Sequence, residues 1–222
     1  MDSLVGKNMY KHKKNRCGRC KLHEELCICT IIPKIETRTK LLLIMHFQEI
    51  EKPSNTGRLA HFCLSNSAIR IRGEKDKPLN MGEMIEANYQ SLLLYPSASA
   101  QEITPEFLAK FQKPIQLIVP DGTWGQARRT GTKISKTFPE IPHVKIPFTS
   151  LSQYRLRKES SPEGLATFEA IARAFGVLEG KEVQQDLEKV FLTAVERLLW
   201  ARGKLAADEV FGGLPAAAIS RT

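Results

Sequence analysis

The 222-residue chain contains no run of eighteen or more apolar residues; its longest, Leu41-Leu42-Leu43-Ile44-Met45, is strand length. That excludes a hydrophobic membrane-spanning helix. The first twenty residues also lack an apolar core, being basic and polar, which is unlike a secretory signal; the expectation is a cytoplasmic protein. Neither an internal repeat nor a low-complexity tract is visible, which sets aside repeat architectures. Acids are nearly missing at the amino end. From Met1 to Leu22 there are seven Lys or Arg against Asp2 alone, so +6 of the chain's net +9 lies in that tenth of the sequence. Such an excess favours an anionic partner, most commonly nucleic acid, although a solvated basic tail would carry the same charge.

At 222 residues and 42% hydrophobic, the chain can bury one substantial core with a small appendage. The appendage is marked by cysteine. Four of the five cysteines form Cys17-Gly18-Arg19-Cys20 and Cys27-Ile28-Cys29, inside the basic region. Two tight turns can bring four thiolates around one Zn2+, and metal binding supplies folding energy that so short a segment lacks. A set of unrelated reduced thiols, or a redox pair at Cys17 and Cys20, is the alternative, and His12 and His23 are possible replacement ligands. Cys63 stands alone and reads as a buried inert thiol.

Beyond this module strands and helices alternate. Strands are expected over Thr39–Phe47, Ser67–Arg72, Gln90–Tyr95, Ile115–Val119 and His143–Ile146. Helices are expected over Asn55–Ser65, Ile103–Phe111, Gly125–Thr137 (interrupted at Gly131), Thr167–Leu178 and Val183–Arg202. Thr104 and Pro105 suit the start of the second helix. This order predicts an α/β fold whose sheet is mostly parallel, with flanking helices. The division expected is a basic cysteine segment over 1–36, an α/β domain over 37–215 and a tail over 216–222.

Four loops carry polar groups. The apolar strand Ile115–Val119 ends in Pro120-Asp121-Gly122-Thr123-Trp124, followed by Ala127-Arg128-Arg129. This puts a carboxylate at the carboxyl edge of a sheet, where ligands bind in open α/β folds. Around Ser54-Asn55-Thr56-Gly57-Arg58, helix-start amides and an arginine form a site for an anion; an ordinary cap by Ser54 or Asn55 explains the same residues. Tyr154, Arg155, Arg157 and Lys158, with no acid before Glu159, suit a phosphate backbone with stacked bases, or a solvated loop. In the fourth loop, from Ser161 through Gly164 to Thr167, glycine allows close backbone approach to a ligand, while Ser161 or Thr167 would also serve as a cap.

Taken in order, these motifs resemble the DTW-domain family, named for the Asp-x-Thr-Trp element present as Asp121-Gly122-Thr123-Trp124. The likeness runs from Cys17 through His46-x-x-Glu49, Ser54–Arg58, Tyr95-Pro96 and Gln126–Arg129 to Leu156-Arg157-Lys158 and Thr167-x-Glu169-Ala170. Each motif is weak alone and the ordered set is specific. The resemblance implies a tRNA-uridine aminocarboxypropyltransferase, which moves the 3-amino-3-carboxypropyl group of S-adenosylmethionine to N3 of a uridine. It also implies a SPOUT-like fold with a knotted cofactor site formed by loops.

Under that resemblance Asp121, Thr123 and Trp124 are the candidate catalytic residues. Asn55, Thr56, Gly57, Arg58, Pro96, Pro120, Gly122, Ser161, Gly164 and Thr167 are candidates to hold the cofactor. Arg128, Arg129, Arg155, Arg157 and Lys158 would meet RNA, and Cys17, Cys20, Cys27 and Cys29 a structural zinc. Uridine N3–H is a weak acid, so a base is needed, and partial burial would raise the pKa of Asp121 towards that task. Asp121 could instead orient the uracil or the cofactor amine, and Trp124 could stack a base or pack in the core. Which of the three carbons on sulfur reacts is set by in-line placement of the nucleophile. A SPOUT-type RNA methyltransferase and a non-catalytic zinc-containing RNA-binding protein are the rival expectations; the oligomeric state, monomer or homodimer, stays open.

Overall fold

Why the chain builds a sheet with two covered faces follows from its central strands, in which Leu41 to Met45 and Leu117 to Val119 are consecutive apolar residues. Such runs belong to parallel strands buried on both sides. The computed structural model, describing residues 15–147, 150–156 and 164–220, contains six strands: β1 (Lys40–His46), β2 (Ser67–Arg72), β3 (Gln90–Leu94), β4 (Gln101–Glu102), β5 (Ile115–Asp121) and β6 (His143–Lys145). Their order is β2-β1-β5-β3-β6-β4, and every pairing between them is parallel. The mostly parallel sheet expected above is thus fully parallel among the described residues. All seven residues of β5 are buried, at the sheet's centre.

Among the described residues six α-helices accompany the sheet: α1 (Gly57–Cys63), α2 (Pro105–Leu108), α3 (Trp124–Thr137), α4 (Thr167–Leu178), α5 (Lys181–Ala201) and α6 (Ala216–Ile219). Strand periodicity assigns the faces. Leu41, Leu43, Met45, Leu117 and Val119 join the core that includes α1, α4 and α5, whereas Leu42, Ile44, Leu93 and Ile118 meet Ile134 of α3. On the larger face Phe168 of α4 is fully buried against Phe191 of α5, ring centroids 5.6 Å apart.

Four local expectations change. The first concerns α1, which begins at Gly57 rather than Asn55, because the Asn55 side chain turns to Asp121 and accepts only weakly, at 3.5 Å, from the Arg58 amide. Secondly, α3 runs through Gly131 without interruption; a Cβ there would come within 3.2 Å of the Tyr95 ring, so glycine admits a close ring contact. The third is the α4 cap: it lies at Ala166, whose amide donates to Glu169 Oε2 at 3.0 Å, so neither Thr167 nor Ser161, which is outside the described residues, is the cap seen. Finally, the stretch expected as a tail includes α6, whose Ala218 is fully buried. Thr104 does cap α2, accepting from the Phe107 amide at 3.2 Å.

The cysteine segment shares the main core: Cys20, Leu22, Leu26 and Ile28 are buried with the residues of α4 and α5. Phe168→Ala is expected to lower the unfolding free energy by about 3–5 kcal/mol, since the large face cannot close over the lost ring. Denaturant titration would measure it, and a loss below about 1 kcal/mol would show that the core repacks there.

Candidate functional site

The carboxyl ends of β5, β3 and β6 open onto a cavity of about 610 Å3, within the usual range for ligand pockets. Its wall combines Ser54, Asn55, Thr56 and Gly57 with Tyr95 and Pro96, the turn Pro120-Asp121-Gly122-Thr123-Trp124, and Gly164 to Thr167. Four segments, the outermost more than a hundred residues apart in sequence, therefore converge because parallel strands send all their carboxyl ends to one edge.

Asp121 lies at the centre of this convergence. Its carboxylate is 2% exposed, accepting from Asn55 Nδ2 at 2.6 Å on Oδ2 and from the Thr167 hydroxyl at 2.7 Å on Oδ1. Burial pushes its pKa above the ordinary carboxylate range; the Thr167 and Asn55 hydrogen bonds oppose that, Glu49 adds to it and Arg58 offsets it. Gly57 makes the approach possible, since a Cβ there would stand 3.0 Å from the carboxylate. The turn after Asp121 is braced separately. Thr123 and Gln126 form a reciprocal capping box at the start of α3, and Gln126 Nε2 also reaches His46 Nδ1 at 3.1 Å and Gln48 Oε1 at 3.0 Å. Burial, then Arg72, holds His46 below the usual histidine range, consistent with a neutral ring whose Nδ1 accepts. Trp124, 40% exposed, lines the cavity wall instead of filling the core.

The DTW domain matches residues 14–199, most of the chain and the cysteine cluster with it. The chain belongs to the DTW-domain family. It is 28% identical over 182 residues to tRNA-uridine aminocarboxypropyltransferase 2 of Macaca fascicularis, covering 78% of this chain and 60% of that protein. The mouse protein of the same name is 27% identical over 183 residues, covering 80% and 61%. Similarity to tRNA-uridine aminocarboxypropyltransferase A of Arabidopsis thaliana is 24% over 215 residues, covering 81% and 79%. The chain thus spans about three fifths of the two mammalian relatives. No solved structure matches it.

Within this DTW domain the candidate residues fall into distinct places. Asn55, Thr56, Gly57, Pro96, Pro120, Asp121, Gly122, Thr123, Trp124, Gly164 and Thr167 all line the cavity. Arg58 does not: it is 4% exposed, and its guanidinium donates to Glu49 O at 2.7 Å and Lys52 O at 3.1 Å, holding the loop after β1. Arg128 and Arg129 are exposed on α3, while Arg155 is exposed beside Glu196 at 3.3 Å. Arg157, Lys158, Ser161 and His12 lie outside the described residues. Tyr154, placed above in a stacking or solvated loop, is instead a buried wall residue whose hydroxyl donates to Ser54 O at 2.5 Å.

The cavity also gains residues that the sequence reading missed. Arg173, 9% exposed, lines it and donates to Ser150 O and Oγ at 2.9 and 3.0 Å. Its only sequence signal is a charge set among the apolar residues of α4. Glu102 and Lys145, 3.8 Å apart, contribute from the ends of the two shortest strands.

Four thiols gather at the amino end. The Sγ atoms of Cys17, Cys20, Cys27 and Cys29 all lie within 4.8 Å of one another, with Cys17–Cys29 at 3.6 Å and Cys20–Cys27 at 3.8 Å. A tetrahedron with Zn–S bonds of about 2.3 Å has edges of about 3.8 Å, so the donor set fits that ion. Burial, followed by the neighbouring thiolates, pushes Cys20 up to about 11, a repulsion that a dication would relieve. His23 is not among the four. Cys63 is buried and its thiol pushed up to about 12 by burial, the inert state expected of it.

A raised folded-state pKa costs stability only where the unfolded carboxyl is already ionised. That cost is absent below about pH 4 and grows as pH rises through the folded value. Asp121→Asn is therefore expected to melt above the parent protein at neutral pH, with the gap closing towards about pH 4. Equal melting temperatures at neutral pH would show that the two hydrogen bonds outweigh burial.

Proposed function

We propose that this protein transfers the 3-amino-3-carboxypropyl group of S-adenosylmethionine to N3 of a uridine in tRNA. The observation that carries the proposal is a buried carboxylate of raised pKa in the wall of a ligand-sized cavity. Membership of the DTW family and the names of its relatives support the same reading.

In this reading Asp121 accepts the N3 proton as the nitrogen becomes the nucleophile, and burial brings the carboxylate nearer the pKa that work requires. Asn55 and Thr167 fix both its oxygens, so the base stands in one orientation. Trp124 offers its face to the uracil, and Thr123 sets the turn that carries both groups. The cofactor supplies an electrophilic methylene carbon beside a sulfonium. Asn55 to Gly57, Pro96, Pro120, Gly122 and Gly164 to Thr167 form the surrounding wall, Ser161, outside the described residues, is assigned to the cofactor with them, and Arg58 acts by holding the loop before Asn55. Positioning of the nucleophile in line with that methylene selects it over the methyl carbon. Arg128, Arg129, Arg155, Arg157 and Lys158 are assigned to the RNA backbone. A SPOUT-like, knotted arrangement of the cofactor site belongs to the same reading, and it rests on the family resemblance. A structural zinc on the four cysteines staples segment 1–36 to the domain over 37–215, in a cytoplasmic protein with reduced thiols.

Two measurements check this reading. Incubation with unmodified tRNA and S-adenosylmethionine labelled in the aminocarboxypropyl portion should place label in RNA, and mass analysis should locate it on a uridine. Asp121→Asn should cut the rate by about 10²–10⁴-fold, and the parent rate should fall as pH drops through the raised Asp121 pKa. Methyl transfer in place of label would overturn the proposal, and so would an Asp121 variant of full activity. For the metal, one equivalent of zinc per chain is expected. Cys20→Ser should lose it together with several degrees of melting temperature, as read by chelator release and calorimetry. Zinc content unaffected by the substitution would remove Cys20 from the ligand set.

A further inference from the structure

A second, smaller cavity of about 170 Å3 lies further along α3, lined by Arg72, Glu74, Pro78, Thr130, Lys133 and Ile134 among others. We propose that it is a subsite for a backbone phosphate of the RNA strand whose uridine enters the main cavity. The inference rests on the proposed function, and it names where the strand runs.

Three observations lead there. One is the composition of α3, which has Arg128, Arg129, Lys133 and Lys136 exposed and no acid anywhere from Trp124 to Thr137. With the exposed Trp124 ring at its amino end, the helix forms an aromatic anchor followed by a basic track, the pattern that follows single strands. Lys133 lies nine residues beyond Trp124, about 13 Å along the helix axis. Another is the cavity's own construction. Arg72 comes from the carboxyl end of edge strand β2 and is half-buried, its Nη1 donating to the Thr130 hydroxyl, which in turn donates to Gln126 O at 2.8 Å. Its charge is therefore held in place, unlike that of a free surface lysine, and a guanidinium suits phosphate geometry. The last is electrostatic. Arg72 is held below its usual range by burial and then by Arg129, two like charges brought together; Glu74, the one acid among the described lining residues, is exposed. An anion would relieve that repulsion.

The placement also couples phosphate to chemistry. Arg72, Thr130 and Gln126 form a continuous chain, and Gln126 accepts from the Thr123 amide within the turn carrying Asp121 and Trp124. A phosphate on Arg72 thus engages the same helix that positions the reacting base.

The test uses the whole protein and an unmodified tRNA transcript, with affinity read by fluorescence anisotropy across a salt series. Arg72→Gln combined with Lys133→Gln should weaken binding about tenfold and flatten the slope of log K against log salt by about one, the signature of a lost phosphate contact. Lys181→Gln, an exposed control at the start of α5, should change neither. A double variant with the parent melting temperature and an unchanged slope overturns the proposal. If the double variant melts early, Lys133→Gln alone decides, because that side chain is exposed: an unchanged slope overturns the proposal there too. Label transfer by the parent protein separates the two hypotheses. Transfer with an unaltered slope leaves the function and removes the subsite, while an altered slope without transfer does the reverse.

Discussion

Everything at the carboxyl edge of the sheet is organised by one buried carboxylate. Asp121 ends the central strand, where its backbone is fixed by parallel pairing to β1, and its side chain has almost no access to water. A buried charge is tolerable only with donors on it. Asn55 from the loop before α1 and Thr167 from the first turn of α4 are those donors, so satisfying Asp121 requires two otherwise unrelated loops to close on the end of β5. The cavity is the space those loops enclose. Gly57 belongs to the same constraint, since a side chain there would meet the carboxylate.

The residues beside Asp121 answer to a different requirement, that the turn after a buried strand enter a helix in one direction. Thr123 and Gln126 supply it by capping α3. Gln126 does more than cap, because its amide also spans to His46 and Gln48 at the end of β1, tying neighbouring strand ends together through one side chain. Trp124 can stay exposed for this reason. The turn needs no packing from its ring to be held.

Much of this was legible in the sequence and some was not, for identifiable physical reasons. Strands such as Lys40–His46 and Ile115–Asp121 were visible because burial on both faces leaves consecutive apolar residues, Leu41 to Met45 and Leu117 to Val119, and α4 because its apolar stripe is complete. Asp121, Asn55 and Thr167 could be named as candidates from their loops, but nothing in spacing tells that Asn55 spends its amide on Asp121 instead of capping α1. Arg58 and Tyr154 show the opposite limit. Both looked like ligand-facing groups, yet Arg58 Nη2 donates to the Glu49 and Lys52 carbonyls away from the cavity, and the Tyr154 hydroxyl donates to the Ser54 carbonyl while its side chain forms part of the wall, partners that only the fold brings near. Arg173 was passed over because a single charge in an amphipathic helix ordinarily faces solvent.

The cysteine segment is joined to the same site through contacts that do not involve a metal. Lys21, next to Cys20, pairs with Glu51 at 2.9 Å, and Glu51 lies in the loop that Arg58 holds and that leads into Ser54 and Asn55. On the other side Arg197 of α5 donates to Cys27 O at 2.9 Å and to Gly213 O at 3.3 Å, drawing the cysteine turn and the carboxyl-terminal loop onto one helix. The exposed Lys21–Glu51 pair is worth little by itself. The burial of Leu22, Leu26 and Ile28 in the main core is the larger effect, and it makes the segment part of the same packed unit as α4 and α5. The four thiols thus lie on a segment whose apolar residues belong to the main core and whose Lys21 reaches the loop that leads to Asn55, a donor to Asp121.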